Sequence, residues 1–177
     1  MFYVALLRGI NVGGNNKVEM SKLKYIFQSI GFTNVRTYIN SGNVIFETEN
    51  KADIHLAEEI EKVLLKHFSF AIRVVVCDVK NINKLCASIP SDWTNDANQK
   101  TDILFLLDEY DSKNSMNLIA TNPTIDTLKY VTGAIVWTVK KSDYSKSGMK
   151  KFIGTAVYKN MTARNVNTLR KLRELMK

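Results

Sequence analysis

Apolar residues in the first half of the chain change period in a fixed order, and that order admits few folds. Residues 3–7 are an apolar run of strand length. Met20, Leu23, Phe27 and Ile30 then recur at three- and four-residue spacing, which is the stripe of a helix, and Gly31 ends it. Residues 35–39 and 44–48 are strand-like and flank Asn40-Ser41-Gly42-Asn43, so they read as a hairpin. Leu56, Ile60, Val63, Leu64 and Phe68 form a second helical stripe, with Asp53 as its expected cap. The Val-rich run within residues 71–77 reads as a buried strand. The series β-α-β-β-α-β is the split βαβ or ferredoxin-like unit.

The second half repeats this series more faintly. A helix is expected over 82–89, stopped by Pro90, then a polar loop over 91–100 and a strand over 102–107. A weak helix over 112–120 ends at Asn122-Pro123, and a hairpin over 128–131 and 134–139 turns at Thr132-Gly133. A helical stretch over 144–153 and a strand over 155–158 follow, and the closing helix carries Val166, Leu169, Leu172 and Met176 on one side. The expected fold class is therefore α+β. A ferredoxin-like subdomain over 1–78 precedes a second similar α/β subdomain over 79–177 that ends in a basic helix. No linker rich in Pro, Gly or Ser separates them, so one compact body is expected.

Topology then points to a place. In a split βαβ unit the first two strands run parallel with the third antiparallel between them, so the end of the first strand meets the hairpin turn. The first loop, over residues 8–17, supplies Arg8, Asn11, Gly13, Gly14 and Lys17, and the turn supplies Asn40, Ser41 and Asn43, with Tyr38 just before it. Glycines let backbone N–H groups approach a bound group closely, and two cations add charge for an anion. The same residues also suit a plain turn, since Gly and Asn tolerate positive φ. Gly9 and Gly14 have P-loop spacing, but Asn15-Asn16 follow where Lys-Ser/Thr is required, so a nucleoside triphosphatase is excluded. His55 and His67 lie twelve residues apart on one helix and cannot share a metal, and no metal ligand set is assigned.

Composition bounds the function further. The chain has 177 residues, 45% of them hydrophobic and 24% charged, which is the profile of a soluble globular protein. Its two cysteines, Cys77 and Cys86, lack partners at ligand spacing and read as small buried hydrophobes. With no basic leader ahead of a long apolar run, and no run of membrane-spanning length, a cytoplasmic location is expected. The net charge is +8, and residues 141–177 hold ten Lys/Arg against two Asp/Glu, which equals the whole excess. Such a segment serves a polyanion or is the wet face of an amphipathic helix.

Several long motifs carry a family resemblance. Residues 5–14 read Ala-Leu-Leu-Arg-Gly-Ile-Asn-Val-Gly-Gly, residues 35–46 read Val-Arg-Thr-Tyr-Ile-Asn-Ser-Gly-Asn-Val-Ile-Phe, and residues 162–172 read Thr-Ala-Arg-Asn-Val-Asn-Thr-Leu-Arg-Lys-Leu. Together with Lys17 and Gly31-Phe32, these resemble the signature of the bacterial "domain of unknown function 1697" family over essentially the whole chain. The resemblance implies a two-part α+β fold with ferredoxin-like topology, and it does not imply an activity. It departs at Val166, where an aromatic residue is common. It also draws in Arg164 and Asn165, expected at the start of the last helix with Thr162 as cap, where N–H groups and the dipole favour anions. Arg164 then either joins Arg8 and Lys17 around one pocket or pairs structurally with Asp143 or Glu19.

The leading functional expectation is a protein that binds a small anion, a phosphorylated or carboxylated metabolite or nucleotide, through these loops. Nucleic-acid binding, RNA in particular, through the basic final segment with Lys171 and Arg173 is the alternative. A metal-dependent transferase or hydrolase is a third, with Asp108 and Glu109 at a strand end as its only acidic candidates. No catalytic set and no cofactor are indicated, and no membrane partner is expected.

Overall fold

The structure is a computed structural model that describes residues 1–49 and 53–177. The Asp53 side chain, expected to cap the second helix, lies outside the described residues. Proximity of Cα atoms divides the chain into two compact units, one of Met1–Ile82 with Leu172–Lys177 and one of Asn83–Lys171.

In the first unit, β1 (Phe2–Leu7), β2 (Thr33–Tyr38), β3 (Asn43–Glu47) and β4 (Val74–Asp78) form one sheet in the order β2-β3-β1-β4. Every neighbouring pair is antiparallel, so β1 and β2 are parallel with β3 between them. Helix α1 (Met20–Ser29) makes the crossover from β1 to β2, and α2 (Asp53–Phe68) leads from β3 to β4. Alternation along the strands sends Tyr3, Ala5, Leu7, Val44, Phe46, Val74 and Val76 into one core with Leu23, Ile26 and Phe27 of α1 and Leu56, Ile60 and Leu64 of α2. Phe46 is its hub, with Phe32 stacked at 4.4 Å and Phe27 edge-on at 5.5 Å. Such ring pairs add about 0.5–1.5 kcal/mol each beyond their buried area.

The hairpin's turn differs from expectation by one residue at each end, and β2 starts two residues earlier, at Thr33. Ile39 leaves the strand, with φ 49°, and Asn43 belongs to β3, where it pairs with Leu6 and Tyr38. Asn43 is wholly buried, and its amide donates to Tyr38 O at 2.9 Å and Ser41 Oγ at 3.0 Å. An Asn that bonds back to the local backbone suits a turn, but here the same bonds close the turn from inside the sheet.

The second unit repeats the strand order. β5 (Gln99–Leu106), β6 (Thr127–Val131), β7 (Ala134–Lys140) and β8 (Met161–Asn165) are arranged β6-β7-β5-β8, again all antiparallel. Helix α3 (Val79–Ser88) precedes them. The helix expected over 112–120 is a 3₁₀ turn, Lys113–Leu118, and that over 144–153 is a 3₁₀ turn, Lys141–Lys146, followed by the short α4 (Gly148–Phe152). No strand forms over 155–158. The fourth strand is β8, so Arg164 and Asn165 end a strand rather than start a helix. The last helix is α5 (Val166–Leu175), and Asn165 Oδ1 accepts from Thr168 N at 2.8 Å. Asn165, not Thr162, is therefore its cap. Val166, Leu169, Leu172 and Met176 are buried.

One buried carboxylate ties this unit together. Asp126, 8% exposed, accepts from Trp137 Nε1 at 3.0 Å and from Ser147 Oγ through Oδ1. Its Oδ2 accepts from Asn122 N at 2.7 Å and Gly148 N at 2.9 Å. It thereby fixes the segment after β7 to the sheet, where Met149 and Phe152 pack with Leu104, Ile135 and Trp137. Among the described residues no helix is long and apolar enough to cross a membrane.

Candidate anion-binding cleft

The end of β1 and the β2–β3 turn meet as the strand order requires. Leu7 N donates to Gly42 O at 2.8 Å, and Asn11 Nδ2 donates to Asn40 O at 2.9 Å. The Asn11 amide also clasps the far end of its own loop, donating to Val18 O at 2.9 Å and accepting from Val18 N at 2.8 Å. Asn11 is thus a brace that joins loop, turn and the approach to α1. Between these anchors the loop closes on itself, with Asn11 N bonded to Asn16 O and Asn15 N to Val12 O. Gly13 and Gly14, at φ 61° and 80°, are the two central residues of this tight turn, a pair of positive φ values that glycine adopts without steric cost.

Gly42 has a different reason. A Cβ there would lie 2.7 Å from Ile10 Cδ1 and 2.8 Å from Leu7 Cβ, and its φ is 76°. The turn can seat against the loop only because residue 42 has no side chain. Gly42→Ala is expected to cost about 2–4 kcal/mol, combining overpacking with left-handed backbone strain. Urea unfolding measures it, and a loss under about 0.5 kcal/mol would show that loop and turn are not seated this way.

An open cleft of about 520 Å³ lies beside this junction, lined by Asn11, Gly14, Lys17, Asn40 and the start of α1, from Val18 to Ser21. Helix α1 starts at Met20 with Glu19 in the cap position, and no side chain caps it. First-turn N–H groups that a Ser, Thr, Asp or Asn cap would engage are left without one, and Met20 and Ser21 of that turn line the cleft. Val18, Glu19, Met20 and Ser21 were not among the binding residues expected from the sequence, where Met20 was read as a helix-stripe residue and Glu19 as a structural partner of Arg164. Their signal was present, since no capping residue precedes Met20.

The other expected residues are not among those that line this cleft. Arg8 is half-buried, and its backbone N–H is bonded to Arg73 O at 2.9 Å. Tyr38 and Ser41 serve the turn, Tyr38 through its carbonyl and Ser41 through its hydroxyl, as acceptors of the Asn43 amide. Arg164 and Asn165 are in the second unit. Arg164 is 8% exposed and donates to Thr162 Oγ1 at 2.9 Å and Ala163 O at 2.8 Å. Burial brings its pKa down to about 10, so it stays charged at neutral pH.

Asp108 and Glu109 open a 3₁₀ turn after β5. Burial, then Asp111 and Glu109, push the Asp108 carboxyl above its ordinary range. Neighbouring Asp111 accepts from Tyr130 Oη at 2.9 Å and Gly133 N at 2.7 Å. Among the described residues no three His, Cys, Asp or Glu side chains are grouped to hold a metal ion.

Comparison with known proteins agrees with this architecture. The solved structure of a conserved bacterial protein from Streptococcus pneumoniae is similar at a TM-score of 0.84 and 28% identity, covering 99% of this chain and 98% of that one. The acetolactate synthase small subunit from Thermotoga maritima matches at 18% identity over 93% of this chain and 96% of that one, but its TM-score of 0.26 supports no structural likeness. No curated protein gives a significant match. A family model described as protein of unknown function (DUF1697) matches residues 1–137, and the chain belongs to that family.

Proposed function

We propose that the cleft at the start of α1 binds a small anionic metabolite of the cytoplasm, phosphorylated or carboxylated. The observation that carries this reading is the uncapped start of a ten-residue helix opening beside Lys17 and Asn40. A helix N-terminus offers orphan N–H donors and roughly half a positive charge, and Lys17 adds a full one. The Asn40 amide and the Gly14 backbone supply further polar groups on the same lining. Asn11 and Asn43 contribute indirectly, by holding loop and turn in register. Glu19 also lines the cleft and opposes an anion, so the ligand seats toward Lys17 and Asn40.

The test is thermal unfolding with inorganic phosphate, pyrophosphate, mononucleotides and small carboxylates. A ligand present at a hundred times its Kd stabilises by about 2.7 kcal/mol, which raises Tm by roughly 5–10 °C for a chain of this size. Lys17→Ala is expected to abolish the rise and Glu19→Gln to enlarge it, while neither changes the ligand-free Tm by more than about 2 °C. If every anion leaves Tm unmoved, or if Lys17→Ala responds like the parent, the cleft does not bind anions.

A further inference from the structure

The lysines from the last residue of β7 onward have no use in the cleft just described. Lys140, Lys141, Lys146, Lys150, Lys151 and Lys159 are all exposed, and Asp143 is the one acidic residue among them in sequence. Among the described residues none of the six forms an ion pair, although Lys141 lies near enough to Asp96 to lower its pKa. Several other cations of the second unit have partners, Lys100 with Asp102 and Lys129 with Ser88 O. Arg164 is buried against its own strand, and Arg170 donates to Pro90 O and Trp93 O.

The lysine segment is also anchored. Asp126 holds it at Ser147 and Gly148, Asn122 Nδ2 donates to Lys146 O, and Lys141 N donates to Asn98 O. Met149 and Phe152 face the sheet and are 2% and 3% exposed, which leaves Lys150 and Lys151 outward. Two half-buried rings, Tyr144 and Tyr158, flank these lysines in sequence. Cations spaced along a fixed backbone lose little entropy when they meet a chain of phosphates.

We propose that this segment, residues 140–159, is a binding surface for single-stranded nucleic acid, read through its phosphates and without sequence preference. A single strand fits better than a duplex, because the only helix here, α4, is five residues long and lies against its own sheet. It presents nothing to enter a groove. The lysines supply the contacts to the strand's backbone, while Tyr144 and Tyr158 pack against the core, with Lys100 over one ring and Phe152 against the other, and bound the surface rather than carry the binding. A membrane surface fits poorly, since Ile153, 52% exposed, is the only large apolar side chain exposed in the segment.

The experiment is fluorescence anisotropy of a labelled oligouridine of about 20 nucleotides with the full chain, titrated from low to moderate salt. The variant replaces Lys146, Lys150, Lys151 and Lys159 by Gln. A control replaces Lys62, Lys66, Lys80 and Lys84, exposed lysines outside the segment, by Gln and so removes equal charge. The parent is expected to show a steep salt slope, and the segment variant to lose about 3 from that slope and at least about a hundredfold in affinity at low salt. The control should keep most of the parent affinity. Equal losses in the two variants would reduce the effect to net charge and overturn the surface. Duplex RNA bound as tightly as the single strand overturns the single-strand assignment. Failure to bind oligouridine overturns the proposal, whether or not vesicles of phosphatidylglycerol are bound instead.

Discussion

Gly148→Ala is expected to destabilise the protein by at least about 4 kcal/mol, with Tm lowered by roughly 8–16 °C. A Cβ on residue 148 would lie 2.0 Å from Ala120 O, 2.8 Å from Thr121 Cα and 2.9 Å from Ala120 C. All three are backbone atoms, so no side-chain rotation relieves the overlap. Either the segment before β6 or the start of α4 must shift, and both are held to Asp126, through Asn122 N and Gly148 N. The shift adds loss of a hydrogen bond to a charged acceptor, about 1.5–3 kcal/mol, to the overpacking penalty. The measurement is urea unfolding followed by far-UV circular dichroism. A variant within about 1 kcal/mol of the parent would mean that the approach of α4 to residues 120–121 is looser than 2.0 Å implies.

Nothing in the sequence announces that constraint. Gly148 sits in Lys-Ser-Gly-Met-Lys, a setting in which a glycine reads as a loop residue. The first half was legible because its helices are long enough to show a period, and α1 and α2 appear where their stripes place them. The second half was legible in α3, in β5, β6 and β7, and in its last helix. Turns of 3₁₀ type are too short to carry a stripe, and residues 112–120 and 144–153 were read as longer helices than they form. β8 was missed because Met161-Thr-Ala-Arg-Asn offers little apolar alternation, its inward Thr162 and Arg164 being polar. The cap of α5 was misplaced as a consequence, since the helix start moved to Val166 and Asn165 took the capping role.

The candidate site was legible in its position and less so in its parts. Strand order brought the loop and turn together, and Asn11, Gly14, Lys17 and Asn40 line the cleft. What the residues do there depends on bonds that no spacing rule reveals. Asn11 and Asn43 looked like ligand groups and spend their amides on the backbone. The two units also share a strand order without sharing this feature. β1 leads into a ten-residue helix, whereas β5 leads into 3₁₀ turns of three and six residues. Such turns align too few peptide dipoles to polarise a bound anion, so the proposed cleft has no counterpart in the second unit.

Asp126 should dominate the acid sensitivity of the second unit. Burial raises its pKa, but hydrogen bonds from Ser147, Asn122, Gly148 and Trp137 outweigh burial and hold it below the ordinary value of 3.8. A folded-state pKa below the unfolded one means that the ionised carboxylate stabilises the fold. That contribution is complete well above the unfolded value, declines as pH falls past it, and is gone below the folded value. Asp126→Ala is expected to cost about 3–5 kcal/mol at neutral pH, because it orphans the indole N–H, a hydroxyl and two backbone N–H groups. The gap between parent and variant should then narrow as pH drops below about 4, where the parent begins to lose the same carboxylate. Asp126→Asn keeps the shape but places an NH₂ against two of those donors, so it should fall between the two and show no such narrowing against Asp126→Ala. The measurement is a set of urea titrations from pH 7 to pH 3, read by tryptophan fluorescence, to which both Trp93 and Trp137 contribute. A parent–variant gap that stays constant over that range would mean that Asp126 keeps the same pKa folded and unfolded, and that its four bonds brace the unit without favouring the charged form.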